Sequence, residues 1–379
     1  GERVMLPIRL REILFEKTSV KTMRYVQAVR AATATGLDKR CYDMIAEDFF
    51  INGSLTSHSQ VPELLAGTWL SGREIVLVTD RLDRTTKEAM GATLSYVNDC
   101  PYCADMLVSL VHGSGQHRAA SSIFREEEAA ISDPVLRSRL EWVRQVAVSG
   151  PQEVTEAPFS AGQMPEAIGT LFTLNYVNRF SHVAMDGSPV AQPFKNTALR
   201  LFGYELRETT ERRIAPGRGL DLLPPAAVPD DLSWARSNPR VADTLSRWAA
   251  AVEREASHDV STAVRQTVQH RLQSWHGETM AISRSWVEDE VQGLAGRDRD
   301  VARLALVVAK ASYQVDESLV EAVLGDDRSE TRLIRVLAYA SFSAARRLAA
   351  LVASHVSAWQ LVPGELVNSG VEHGFRAGS

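Results

Sequence analysis

Two thiols stand three residues apart in VNDCPYCADML, Val97 to Leu107, and the 379-residue chain has one further cysteine. A Cys-x-x-Cys pair points to redox or metal chemistry, because a dithiol can close into a disulfide or ligate a metal. A structural zinc site needs four ligands. No second cysteine pair and no histidine pair at matching spacing is present. A redox dithiol is therefore the expectation, without a metal or a bound cofactor. Cys41, alone in KRCYDMI, reads as core packing.

The elements around the pair set its chemistry. Pro101 suits the first turn of a helix, where its missing N–H costs nothing. Cys100 and Cys103 then share one face of that turn. Unpaired N–H groups and the positive dipole end are expected to favour a thiolate there. Asn98 and Asp99 are suited to ending the preceding helix, Thr85 to Val97, and starting the next. An antiparallel hairpin turning near Asn98 sets Glu88 opposite the region of Leu107, about one turn beyond Cys103. Two readings of Glu88 stay open: a carboxylate that relays protons for the thiols, or a solvated charge beside Arg84 and Lys87.

The rest of the chain predicts an all-α protein. Apolar residues recur at helical spacing in Met23, Val26, Val29 and Ala32, in Leu136, Leu140, Val143 and Ala147, and in Leu304, Val307, Val308 and Ala311. Turn signals punctuate them: INGS, HGSG, VSGP, MDGSP and LGDD. REIVLVTD is read as a helix end. Net charge is −5 with both signs interspersed, which argues against a nucleic-acid groove. No apolar run approaches the roughly 20 residues needed to cross a bilayer. GERVMLPIRLREIL lacks the apolar stretch of a signal peptide. A cytoplasmic protein without nucleic-acid or membrane partners is the expectation.

The length suggests two domains or repeats. VLRSRLEWVRQVAVSGPQEV (Val135 to Val154) resembles DVARLALVVAKASYQV (Asp300 to Val315), and LNYVNRFSHVA (Leu174 to Ala184) parallels ASFSAARRLAAL (Ala340 to Leu351). These pairs predict an ancestral duplication: a first repeat over 1–211 carrying the thiols, and a second over 241–362 without cysteine. Arg212 to Arg240 holds five prolines, so helix is excluded over much of it. Its Leu220, Leu222, Leu223 and Trp234 predict a connector pinned to both halves. The tail, 363–379, reads as poorly ordered.

Taken together, Glu88, Ser95, Asn98, Cys100, Tyr102 and Cys103 resemble the signature of the alkylhydroperoxidase D / carboxymuconolactone decarboxylase family. The Glu-to-CxxC spacing and SYVNDCPYC carry the resemblance, which covers roughly Val61 to Ala184. From Ile214 to Val356 the chain is similar to long, two-repeat bacterial members. The resemblance implies an all-helical bundle that forms homo-oligomers. It also implies a peroxidatic Cys103, a resolving Cys100 and a proton relay through Glu88, with Tyr102, Ser95 and Asn98 in support. The family's relay histidine, four residues past the second cysteine, is here Leu107. His112 is a substitute only if its helix ends early, and otherwise, like His117, reads as a surface or capping residue.

Other candidates are weaker. SWHGETM (Ser274 to Met280) reads as a core tryptophan, Trp275, in a loop. GSGQHR follows a helix and makes no nucleotide site. Arg179 and Arg346 are expected to pair with acidic residues between helices. The expected activity is a cysteine-dependent oxidoreductase, acting on a hydroperoxide or exchanging disulfides with a small dithiol such as a lipoyl group. Two rivals remain: a non-redox, decarboxylase-like or tailoring enzyme on a small organic molecule, and a non-catalytic oligomerising scaffold.

Overall fold

The computed structural model describes residues 16–17, 20–150, 153–154, 156–188 and 194–360, with side chains to 356. Among these residues no strand forms, and one isolated antiparallel bridge joins Met23 to Met185. The fold is all-α. Helices α1 (Gly36–Asp48) and α2 (Pro62–Ser71) lead into a π-helical segment, Gly72–Leu77, which carries the first five residues of REIVLVTD, the stretch read as a helix end. Then come α3 (Arg84–Val97), α4 (Pro101–Gly113), α5 (His117–Phe124), α6 (Pro134–Ser149), α7 (Met164–Ala184) and α8 (Lys195–Glu205). Beyond the connector lie α9 (Pro239–Ala256), α10 (Thr262–Gln273), α11 (Gly296–Ala311), α12 (Glu317–Leu324) and α13 (Glu330–Gln360).

Local signals explain where these helices begin. Proline opens α2, α4, α6 and α9, fixing a helical φ where no N–H is needed. Asp83 caps α3 by accepting from Thr86 N at 2.8 Å. One predicted helix fails. Met23 to Ala32 runs mainly as extended chain, with only a 3₁₀ turn at Ala31–Thr33. Its backbone bonds elsewhere: Arg24 N donates to Ala184 O at 2.8 Å and Val29 N to Ser59 Oγ at 2.8 Å. Apolar spacing alone does not decide between a helix and a β-branched segment laid across other helices.

α3 and α4 form the expected antiparallel hairpin, and α7 packs on α3. On its other side α7 runs along α13, while α2 packs against α9. Gly67 makes that last approach feasible, since a Cβ there would sit 2.2 Å from Trp248 Cδ1. Trp248 meets Phe172, Tyr176 and Phe342 edge-on, with ring centroids 5.8, 4.6 and 4.9 Å away. One cluster of buried side chains therefore runs from Val26 to Val356, through both halves. Leu136, Leu140 and Val143, and Leu304, Val307 and Val308, face it as their spacing predicts.

The proline-rich connector is fastened down. It forms two 3₁₀ segments, Arg218–Leu222 and Asp230–Ser237, and buries Leu222 and Leu223, with Trp234 half-buried. Glu74, paired with Arg73 in a buried cluster with Asp48, accepts from Gly217 N at 2.7 Å and Gly219 N at 2.9 Å. From the second half, Arg247 donates to Leu220 O and Leu223 O at 3.0 and 2.6 Å. The tail from Pro363 lies outside the described residues. By length and composition Glu330–Val356 could cross a membrane, which corrects the reading that no run approaches that length. Its most apolar window is 67% buried inside the protein, which is what a core helix requires.

Candidate functional site

The turn between α3 and α4 places the thiols. Asn98 ends α3, and Asp99 takes a left-handed φ of 53°, a conformation short polar side chains tolerate. Cys100, not Asp99, is then the N-cap of α4, and no side-chain cap bond forms. Cys103 sits in the first turn, with its Sγ 2.7 Å from that of Cys100. Both cysteines are free and buried. Little backbone movement separates this arrangement from a disulfide.

Burial changes the chemistry expected of the helix end. Desolvation pushes the Cys103 thiol well above the ordinary range, and the adjacent Cys100 adds to the shift while Ser181 partly offsets it. The expectation of a thiolate favoured by the dipole is therefore corrected: at this depth the cost of an unsolvated anion exceeds the help of the helix end.

Glu88 is not a solvated charge. It is fully buried, and its Oε1 accepts from Arg84 Nε at 2.7 Å, the residue one turn earlier. Arg84 is anchored in turn by Thr209 O at 2.8 Å. Burial raises the Glu88 pKa, and Arg84 pulls against that rise. The neighbouring Lys87 is buried too, 3.2 Å from Glu166, and is pushed down to about 8 by burial.

Glu88 and Cys103 line one cavity of about 110 Å³, walled mainly by Phe49, Phe50, Leu107, Leu110, Leu174 and Val177. Leu107 thus stands in the wall that Glu88 faces, as the hairpin predicts. Tyr102 also lines it, but its hydroxyl accepts from Gly53 N at 3.1 Å. A side chain at Gly53 would strike Met185, whose Cε lies 2.2 Å from the ideal Cβ position. Ser95 Oγ donates to Gly91 O at 2.8 Å and to Asn178 Oδ1 at 2.9 Å. Asn98 Nδ2 donates to Asn175 Oδ1 at 3.2 Å. Ser95 and Asn98 thus tie the corner to α7.

Other predicted residues go elsewhere. α4 does end at Gly113, yet His112 is buried away from the cavity, with its Nδ1 3.2 Å from His117 Nδ1. Burial pushes it down to about 4. It is neither a surface residue nor a substitute near Cys103. Arg179 finds no acidic partner among the described residues. Its Nε donates to Ala309 O at 2.9 Å, near the C-terminal end of α11, and Nη1 to Asn175 Oδ1 at 2.7 Å. Helix-end carbonyls satisfy a cation as well as a carboxylate would. Arg346 does pair as expected, with Asp231 at 2.6 Å. Trp275 is core, and Cys41 is fully buried and pushed up to about 12. Among the described residues no group of three or more His, Cys, Asp or Glu could hold a metal.

Several residues escaped the sequence reading. Arg84 carried a signal, since Arg and Glu at i and i+4 face each other on a helix. His58, buried against Phe180 with Nε2 3.0 Å from Tyr176 Oη, gave none. Trp69 and Thr173, which also line the cavity, looked like ordinary helix residues.

No family model matches the chain. A curated Mycobacterium tuberculosis protein named an alkyl hydroperoxide reductase is 28% identical over 348 residues, covering 88% of this chain and 96% of that protein. Over most of its length the chain is thus similar to that protein, and its all-helical fold agrees with the bundle that the resemblance of SYVNDCPYC implies.

Proposed function

We propose that the chain is a cysteine-dependent peroxidase in which Cys103 reduces a hydroperoxide and Cys100 resolves the product. The observation that carries this reading is the pair of sulfurs 2.7 Å apart, with Cys103 opening onto the apolar cavity that Glu88 also lines. Glu88 takes the Cys103 proton as the sulfur attacks the hydroperoxide. The S–O bond forms, the O–O bond breaks, and the leaving alkoxide receives that proton, giving an alcohol and a sulfenic acid. The Cys100 sulfur then attacks Cys103, an S–S bond forms, and the hydroxyl leaves with the Cys100 proton as water. An external dithiol reopens the disulfide by exchange, being oxidised in turn.

The name of the similar mycobacterial protein supports this reading at the family level. Leu107 cannot relay a proton, so Glu88 acts without a histidine and a modest rate is expected. We also read the two halves as repeats of one ancestral unit, of which only the first retains thiols. The test is a free-thiol titration before and after one equivalent of hydroperoxide. Wild type should lose two thiols and Cys103→Ser none. Unchanged thiols in wild type would favour a non-redox enzyme or a scaffold.

A further inference from the structure

The cavity beside Cys103 is apolar, yet three buried polar atoms on its lining residues have no hydrogen-bond partner among the described residues: Trp69 Nε1, Glu88 Oε2 and Thr173 Oγ1. Thr173 is informative because of its neighbours. In a helix interior a buried serine or threonine commonly bonds the carbonyl four residues back. Thr170, one turn earlier on α7, does so to Glu166 O at 2.7 Å, as do Thr68 to Leu64 O and Ser95 to Gly91 O. Thr173 does not, although it is 2% exposed. Thr93, Ser181, Thr244 and Ser341 also lack hydrogen-bond partners among the described residues, but none of them lines this cavity. An unpartnered buried hydroxyl is costly, and such groups mark sites completed by something else. Here three of them border the same cavity as the thiol.

We propose that Thr173 and Trp69 hold the polar head of the substrate, their O–H and N–H donating to the oxygen that leaves when Cys103 attacks. The third atom, Glu88 Oε2, is free for the proton, because Oε1 is held by Arg84. The cavity thus divides its work. Phe49, Phe50, Leu107 and Leu174 take the apolar body, two donors on α2 and α7 orient the oxygens, and Glu88 moves the proton. The inference rests on the peroxidase reading and adds the residues that give the substrate its orientation.

The experiment uses the full-length reduced protein and two oxidants that form the same Cys100–Cys103 disulfide. tert-Butyl hydroperoxide presents a head for Thr173 and Trp69 to bind; the diazene oxidant diamide does not need one. Thr173→Val keeps the shape of the side chain and removes the hydroxyl. It should slow single-turnover oxidation by the hydroperoxide about tenfold, leave oxidation by diamide unchanged, and keep or raise the melting temperature. Thr173→Ser should recover most of the rate, and Trp69→Phe should slow the hydroperoxide reaction alone. Equal hydroperoxide rates in wild type and Thr173→Val would overturn this inference and leave the peroxidase reading intact. A parallel loss with both oxidants would also overturn it, by showing a structural role. A wild type oxidised by diamide but inert to hydroperoxide would overturn the peroxidase reading, and this inference with it.

Discussion

Two helix corners, the one between α3 and α4 and the one between α11 and α12, are built to opposite ends. At the second, Asp316 is the N-cap. Its carboxylate accepts from Leu319 N at 3.2 Å and Ser318 Oγ at 2.7 Å, and pairs with Arg284 at 2.8 Å. Both oxygens of that cap are engaged. At the first, Cys100 holds the N-cap position and makes no cap bond. Forgoing a cap costs about 1 kcal/mol. What the corner gains is a sulfur placed 2.7 Å from a second one. The difference teaches that one corner uses its N-cap for stability, while the other sets that stability aside and places two thiols side by side.

The contrast can be broken most directly at Cys100. In Cys100→Ser a hydroxyl can accept from the helix N–H groups, so the fold should persist while disulfide formation is abolished. A variant that still consumed two thiols per hydroperoxide would end the comparison. Glu88→Gln comes next. It removes the proton carrier and leaves Arg84 buried without its counter-charge, so a loss of ~100-fold in hydroperoxide reduction and ~3 kcal/mol of stability is expected, read by stopped-flow and by denaturant unfolding. A full rate in that variant would place the proton elsewhere.

The pH response sharpens the comparison further. Because burial pushes Cys103 up, the oxidation rate should keep climbing above about pH 8.5, where an ordinary thiol levels off. The native protein holds that proton more tightly than the unfolded chain does. Its stabilising share is therefore whole below about pH 8.5 and is lost as pH rises toward the native value. Cys41 adds the same slope to both proteins, so the difference between wild type and Cys103→Ser isolates Cys103. A rate that is flat from neutrality upward would contradict a deeply desolvated thiol. The smallest effect belongs to the second corner: Asp316→Ala should cost about 1 kcal/mol and leave thiol oxidation untouched.

How far the sequence could be read follows from how local each interaction is. The hairpin, its turn and the approach of Glu88 toward Leu107 depend on helical spacing within some 25 residues, and they appear where the spacing puts them. The stripes at Leu136 and Leu304 were legible for the same reason. The extended run at Met23 to Ala32 was not, because its partners, Ala184 and Ser59, are far along the chain. Desolvation of Cys103 and Glu88 was hidden as well, since it depends on walls supplied by five separate segments of the chain. Thr173 sits 60 residues beyond the end of the hairpin at Gly113 and carries no motif; only its missing bond singles it out.

The aromatic group around Trp248 has a consequence for the behaviour of the chain as a whole. Phe172 and Tyr176, on the helix that also carries Thr173, lean on Trp248 and Phe342 from the other half. Unfolding should accordingly be a single cooperative event, and cutting the chain at the proline-rich stretch should yield two insoluble fragments and no smaller enzyme. The thiol-free half, whatever its history, serves as the buttress against which the thiol-bearing half is held.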